Sequence, residues 1–129
     1  MSPEKENLLV SKYPEMFRSV YKSPQESLMC FGCECSDGWF AIINTACWLI
    51  SSHLKGKDAD FEWCQIKEKF GTLRLYPAGG YDEYTSGVIS MAESISSVTC
   101  ERCGNAGSRR GGGWIVTLCD ACAEKEGRT

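Results

Sequence analysis

The apolar positions in the first twenty residues recur at helical spacing. Ser2 is a capping residue, Pro3 suits the first turn of a helix, and residues 8–10 supply an apolar face. Pro14 interrupts this helix, because proline lacks the N–H that a helix interior needs. Residues 16–20 are then predicted to form a second, short helical turn.

A longer and more hydrophobic helix is predicted further along the chain. Asp37 comes just before Gly38 and Trp39 and is predicted to cap this helix at its N-terminus. Residues 39–50 are apolar on nearly every face, which is typical of a helix that the rest of the domain buries. The helix is expected to end near Gly56.

The hydrophobic period changes to two between residues 61 and 76. Residues 61–67 and 72–76 are predicted to form two strands of a hairpin. Residues 68–71 form the predicted loop, in which Gly71 takes a positive φ. Residues 77–80 are expected to end the second strand. The chain then returns to helical spacing over residues 82–97, where the apolar stripe is Tyr84, Val88, Met91, Ala92 and Ile95.

Four cysteines near the C-terminus have the spacing of a structural metal site. They form a C-x2-C pair, an interval of fifteen residues and a second C-x2-C pair. Zinc prefers four soft ligands in a tetrahedron, and two residues between cysteines allow a tight turn that aims both sulfurs at one point. One structural Zn²⁺ is therefore predicted; iron is the alternative, since tetrahedral sulfur suits both metals. The predicted ligands are Cys100, Cys103, Cys119 and Cys122.

Together these elements predict an α+β fold with N-terminal helices, a β-hairpin, an amphipathic helix and a C-terminal zinc ribbon. We predict an α+β body over residues 1–97 and a zinc-ribbon module over residues 98–129 that packs on it. Within the module, residues 114–118 are predicted to form a strand that leads to Cys119, and residues 120–126 a short helix.

Composition and charge narrow the classes of function. Hydrophobic residues make up 43% of the 129 residues, enough for a core, and the formal charge is −3. Four thiolates and one divalent cation add −4 and +2, which brings the folded charge to about −5. A negative net charge disfavours general coating of nucleic acid. The charged first ten residues and the absence of a long apolar run predict a cytoplasmic protein with no membrane segment.

The remaining cysteines suggest a second, weaker possibility for metal binding. Cys30, Cys33 and Cys35 form a C-x2-C-x-C cluster, to which Cys64 or His53 could add a fourth ligand. This spacing fits no common metal-site template, so small buried apolar cysteines are the favoured interpretation.

No catalytic constellation is visible, and we predict that the chain is not an enzyme. His53 is the only histidine and lies at the end of an apolar helix, where a surface or capping role is usual. Phosphate-binding, deaminase and nucleophile-elbow patterns are absent. The acids Asp58, Asp60 and Glu62 leave one enzymatic alternative open, a small hydrolase that uses a hard cation.

Two exposed turns are predicted to contact a partner. The hairpin offers Lys69 and Phe70 at its tip with Arg74 on its edge, and the module offers a glycine-rich turn. The opposing interpretation is architectural: the charges are solvated, Phe70 tucks under the hairpin, and the tryptophan of the module packs on the body. The predicted partner-binding residues are Lys69, Phe70, Arg74, Arg109, Arg110 and Trp114.

Several segments taken together resemble a known family. These are Asp-Gly-Trp at residues 37–39, Lys-Glu-Lys-Phe-Gly-Thr-Leu-Arg-Leu-Tyr at residues 67–76, and the two cysteine pairs with Gly-Gly-Trp at residues 112–114. Over about residues 30–123 the chain resembles small, largely uncharacterised proteins of phages and prophages. Ser36 departs from the pattern, since similar proteins often have glycine there. The resemblance implies a phage-type setting and a shared fold, and it implies no activity.

The functional hypothesis is a non-enzymatic zinc-binding interaction protein that binds a host protein and modulates it. The expected partner is a component of antiviral defence or of transcription, and one form of the hypothesis is a counter-defence inhibitor similar to anti-CRISPR proteins. The alternative is a nucleic-acid-binding zinc ribbon, in which the arginines of the module contact phosphates and Trp114 stacks on a base.

Overall fold

The computed structural model describes residues 1–128 and has the predicted α+β fold. A three-stranded sheet, two long helices and a set of short helical turns surround one hydrophobic core, and a two-stranded sheet with a short helix forms the C-terminal ribbon. The α-helices are α1 (Pro3–Lys12), α2 (Phe40–Leu54), α3 (Glu83–Ser96) and α4 (Asp120–Lys125). The strands are β1 (Cys33–Glu34), β2 (Glu62–Lys69), β3 (Thr72–Ala78), β4 (Ser108–Arg110) and β5 (Val116–Leu118).

The main sheet has the strand order β1-β2-β3, and its inner face carries the core. β1 pairs parallel to β2, and β2 pairs antiparallel to β3 with Ile66 opposite Leu75. Ile66, Leu73 and Leu75 are buried, because alternate residues of a strand point to the same face. Across residues 1–128, none of the helices combines the length and apolar character needed to cross a membrane.

The entry to α2 differs from the prediction. Asp37 does not cap α2, because residues 37–39 form a 3-10 turn and the first residue of the α-helix is Phe40. The Asp37 carboxylate instead accepts a hydrogen bond from the backbone N–H of Ser2, with 2.7 Å between Oδ1 and N. This hydrogen bond lowers the pKa of Asp37. The acid therefore joins the start of α1 to the start of α2.

The hairpin turn is shorter than the predicted four-residue loop. Lys69 pairs with Thr72, so only Phe70 and Gly71 lie between the strands. Both have positive φ, 53° and 80°, which is the pattern of a type I′ turn. β3 also continues past Pro77 to Ala78, because β3 is an edge strand and proline is tolerated there.

Side chains of α3 occupy the free edge of β3. The backbone N–H of Leu73 donates to Oγ of Ser96 at 2.8 Å, and the N–H of Leu75 donates to Oε2 of Glu93 at 2.9 Å. These two donors point away from β2, so no strand of the described chain could accept from them. The helix thus completes the hydrogen bonding of the sheet as well as covering its core.

His53 connects the end of α2 to the start of α3. Its Nε2 lies 2.8 Å from Oδ2 of Asp82, and its ring stacks on Tyr84 with 4.0 Å between centroids. Asp82 is the N-cap of α3 and forms a capping box with Thr85. The backbone N–H of Thr85, followed by His53, lowers the pKa of Asp82 to about 2. The histidine is therefore a helix-joining residue, close to the capping role predicted for it.

Candidate metal centre and contact surfaces

The first pair of candidate ligands lies on a tight turn before β4. Cys100 is fully buried and Cys103 is exposed. The N–H of Gly104 donates to the carbonyl of Cys100 at 2.9 Å, and Gly104 has a φ of 85°. A side chain would be strained at that φ, so glycine lets the chain close the turn directly after the second cysteine.

The second pair lies where β5 leads into α4. Cys119 is the N-cap of α4, and its sulfur accepts from the N–H of Cys122 at 3.4 Å. β4 and β5 pair antiparallel with Ser108 opposite Leu118, which brings the second pair of cysteines beside the first.

The four sulfurs form one cluster of the size that a tetrahedral metal requires. All four lie within 4.8 Å of one another, and the sulfurs of Cys103 and Cys119 are 3.6 Å apart. A zinc–sulfur bond of about 2.3 Å implies sulfurs about 3.8 Å apart in a tetrahedron. The donor set is four thiols, so the residues present fit a structural Zn²⁺. Among residues 1–128, this is the one such cluster of metal-ligating side chains.

The thiols in the cluster have strongly divided proton affinities. Burial raises the pKa of Cys100, but backbone N–H groups of residues 119, 103 and 102 outweigh it and lower the value to about 6. The pKa of Cys122 is raised to about 12, chiefly by its hydrogen bond with the sulfur of Cys119. Adjacent thiols compete for charge in this way because negative groups repel one another. A divalent cation removes that repulsion.

The ribbon is joined to the body beside the first pair of ligands. The N–H of Gly38 donates to the carbonyl of Glu101 at 2.8 Å, and the indole N–H of Trp39 donates to the carbonyl of Thr99 at 2.9 Å. A Cβ on Gly38 would lie 2.2 Å from the carbonyl oxygen of Cys100, so only glycine fits. The Asp-Gly-Trp segment is therefore the part of the body that contacts the ribbon beside the first cysteine pair.

The second junction is at the tip of the hairpin. Oγ1 of Thr117 donates to the carbonyl of Gly71 at 2.6 Å. A Cβ built on Gly71 would lie 3.3 Å from the side chain of Ile115. The sequence interpretation missed Thr117, although a polar residue inside the apolar run 115–118 was a signal. The expectation that Trp114 packs on the body is wrong, because Trp114 is 65% exposed.

Four of the six predicted partner-binding residues lie around this second junction. Phe70 is 61% exposed, so it does not tuck under the hairpin. Nη2 of Arg109 donates to the carbonyl of Phe70 at 2.9 Å, and Nζ of Lys69 lies 5.8 Å from the Phe70 ring. Trp114 precedes Ile115, whose side chain would lie 3.3 Å from a Cβ on Gly71. We call Lys69, Phe70, Arg109 and Trp114 the tip patch.

The other two predicted residues lie outside the tip patch. Arg110 donates to the carbonyl of Leu118 and to Oδ1 of Asp120 at 2.8 Å, so its guanidinium braces β5 and the start of α4. Arg74 lies opposite Lys67 in the hairpin, and its Nη1 is 4.0 Å from Oε1 of Glu93. Lys67, Lys69, Arg74 and Tyr76 share the solvent face of the sheet, since Ile66, Leu73 and Leu75 occupy the other.

The remaining cysteines do not gather into a second centre within the described residues. Cys33, Cys35 and Cys47 are buried, and burial raises the pKa of Cys35 and of Cys47 to about 12. Protonated, buried thiols behave as small apolar side chains, as predicted. Cys30 is half-buried and Cys64 is exposed, so these two differ from that expectation.

Two of the three acids named for a hydrolase, Asp60 and Glu62, form ion pairs with one arginine. The guanidinium of Arg18 lies 2.7 Å from Oδ1 of Asp60 and 2.6 Å from Oε2 of Glu62. The hydroxyl of Ser19 also donates to Glu62. These two carboxylates therefore fasten the turn after α1 to the start of β2.

Comparison with known proteins identified no match to this chain. No protein-family model matches the chain, and no curated protein or solved structure matches it at a significant level.

Proposed function

We propose that the chain is a zinc-stabilised, non-enzymatic binding protein that contacts a host protein through the tip patch and alters its activity. A counter-defence inhibitor is the form of this function that the resemblance to phage and prophage proteins favours. The observation that carries the proposal is Phe70, an exposed aromatic ring on a strained turn next to the metal module.

Zinc is the metal proposed for the four-cysteine cluster. Thiolate ligands select soft or borderline metals, and zinc is the usual occupant of a four-cysteine site of this spacing. With four protein ligands, a tetrahedral ion keeps no open position for water or substrate. Its proposed role is therefore to hold β4, β5 and α4 in place rather than to carry out a reaction.

The backbone conformation of Phe70 disfavours folding, and burial of its ring does not offset that cost. A non-glycine residue with positive φ costs on the order of 1–2 kcal/mol, and asparagine or glycine would suit the position better. Its ring also remains largely in water, so little hydrophobic burial offsets that cost. Strain of this kind is concentrated at functional sites. A partner that buries the ring would account for both the positive φ and the exposure of Phe70.

The surroundings of Phe70 suit a protein surface with acidic and apolar groups. Arg109 and Lys69 supply positive charge beside the ring, and Trp114 supplies a second exposed aromatic side chain. Aromatic and arginine residues dominate the energetics of interfaces. Gly71 is fixed to Thr117, so the hairpin tip is held in one position and loses little freedom on binding.

A nucleic-acid ligand is the second candidate, and the solvent face of the sheet favours it. Lys67, Lys69 and Arg74 form a row of cations next to the exposed Tyr76. Such a surface can follow a phosphate backbone and stack on a base.

The deciding experiment captures partners of the tagged, zinc-loaded protein from a host lysate at two salt concentrations. Phe70→Asn removes the ring and keeps a favourable turn, so loss of a partner from this variant is not caused by misfolding. Tyr21→Ala is the matched control, because Tyr21 is an 83% exposed aromatic on a different part of the surface. We expect Phe70→Asn, but not Tyr21→Ala, to lose one host protein and to lose any protection of phage plating in a host with a defence system. Capture of short DNA or RNA, released steeply by salt, would instead support the second candidate.

A further inference from the structure

The apolar stripe of α3 faces solvent. Tyr84, Val88, Met91 and Ile95 follow one another at spacings of four, three and four residues, the spacing of a helix–helix seam. Met91 is 65% exposed, Tyr84 43% and Ile95 41%. A surface helix normally turns such a stripe to the core. The buried face of α3 is a different one, formed by Thr85, Ile89, Ala92 and Ser96.

This stripe borders an open groove between α2 and α3. The groove has a volume of about 580 Å³, and α2 contributes mainly small and aliphatic side chains to it. Glu83, at one end, is its only charged lining residue among those described. Trp48 lies two turns along α2 from Ala41, near the same rim, and is 56% exposed. The result is a continuous apolar face across both long helices.

Gly87 is a second, independent observation on this face. It lies in the interior of α3 and lines the groove. A Cβ there would meet no atom of the described chain within 4 Å beyond its neighbours and the helix backbone, so the fold of the chain itself has no need for glycine. Glycine in a helix is less stable than alanine. It does allow another backbone to approach the helix closely.

We propose that a second copy of the chain covers this face, so that two α2–α3 pairs form an antiparallel four-helix bundle. A two-fold axis places the same patch against itself, which requires a patch with both projections and recesses. Met91 and Tyr84 project from it, whereas Ala41, Thr45 and Gly87 are small.

Charge and area both suit this occupant. The chain carries a formal charge of −3, so two copies can approach closely only through a face with few charges, such as this one. Glu83 lies at one end of the groove, so an antiparallel arrangement keeps the two copies of this acid apart. Covering Trp48, Tyr84, Met91 and Ile95 removes on the order of 500 Å² of surface from each copy. The total for two copies, about 1,000 Å², reaches the lower limit of specific interfaces, so we expect weak association, at the micromolar end of the range found for protein interfaces.

Sedimentation equilibrium of the zinc-loaded full chain, over about 1–200 µM, tests the proposal around the expected dissociation constant. We expect the mass of two chains at the upper end. Met91→Glu should give the mass of one chain, because a dimer would bury two unpaired carboxylates. Ser90→Glu is the matched control, since it adds the same charge to the exposed neighbouring position outside the stripe. This variant should remain dimeric.

Gly87→Ala is a second variant that does not depend on a charge. Alanine favours the helix, so this variant folds, but its methyl group holds the second backbone away. We expect its dissociation constant to rise about tenfold or more, because the added methyl group overpacks the contact. A wild-type chain that stays monomeric throughout, or a Met91→Glu variant that dimerises normally, overturns the proposal. So does a monomeric chain whose groove binds a synthetic amphipathic helix, which would show that the occupant is a foreign helix. Phe70→Asn should dimerise like the wild type, so this proposal and the tip patch can fail separately.

Discussion

The body and the ribbon of this protein are stabilised by different means. Among the described residues, nineteen buried apolar side chains form one cluster in the body, whereas the ribbon's cluster has only four. So few buried side chains cannot offset the conformational entropy lost by a segment as long as residues 98–128. We therefore expect that a metal ion in the four-cysteine cluster takes the place of a hydrophobic core in the ribbon, and that the body folds without it.

Removing one of the four candidate ligands should destabilise the ribbon more than any other substitution considered below. Cys103→Ser should unfold the ribbon, because a structural zinc contributes on the order of 10 kcal/mol in isolated zinc peptides. Hydrogen exchange should show lost protection at Val116 and Leu118 and retained protection at Ile66. Cys64→Ser is the matched control, since Cys64 is an exposed cysteine outside the cluster. Equal loss at Ile66 would mean that the body also depends on the metal.

A smaller effect is expected at the junction between the two regions. Gly38→Ala places a methyl group 2.2 Å from the carbonyl oxygen of Cys100, so the two backbones must separate. Overpacking of this kind costs about 1–3 kcal/mol. Thermal unfolding with and without a chelator would measure it. Gly111→Ala is the control, because a Cβ there meets nothing in the described chain within 4 Å. If Gly38→Ala left both measurements unchanged, the junction would not connect the two regions energetically.

Phe70→Asn should change stability in the opposite direction. Asparagine followed by glycine is the favoured pair for a type I′ turn, so we expect a gain of about 1 kcal/mol. Urea unfolding measures the gain. Thr72→Asn, on the flanking strand residue, should not reproduce it. A loss of stability in Phe70→Asn would show that the ring supports the fold, and the functional reading of its strain would then fail.

The smallest effect concerns the response of the body to acid. Asp82 has a folded pKa of about 2, below the value of about 4 of an unfolded chain. Its contribution is therefore present above about pH 4 and disappears as the pH falls through 2. Asp82→Asn should lower the melting temperature at pH 6 and approach the wild type only as the pH falls below 2. A difference that persists below pH 2 would assign the effect to packing rather than to charge.

The features that could be predicted from the sequence are those that depend on local spacing, such as the metal site. The four ligands follow one another at intervals that fix the geometry of a metal site, and the structure places their sulfurs in one cluster. The sequence could not reveal which face of α3 is buried. Ser96 and Thr85 are polar, yet both are buried, because Ser96 accepts from the N–H of Leu73 and Thr85 closes a capping box. A long-range hydrogen bond at Ser96 and a local capping box at Thr85 thus override the hydrophobic periodicity.

The role of Asp37 could not be predicted either, because it also depends on a partner that is distant in the sequence. Asp37 has the residue type and the position of a helix cap, but its carboxylate accepts its hydrogen bond from the N–H of Ser2, thirty-five residues earlier in the chain. The turn at Phe70 was mispredicted because aromatic residues rarely adopt positive φ, so a two-residue turn was not the expected choice. At Asp37 a distant hydrogen bond outweighs local preference, and at Phe70 the turn has a φ that the residue type disfavours.

The hydrogen bonds from β3 to α3 also have a consequence for synthesis. β3 leaves the ribosome before α3, so for that interval the N–H groups of Leu73 and Leu75 have no partner. An open strand edge of this kind can pair with another unfinished chain and start aggregation. The exposure ends when Glu93 and Ser96 arrive, about twenty residues later, and their side chains then close the sheet to further strands.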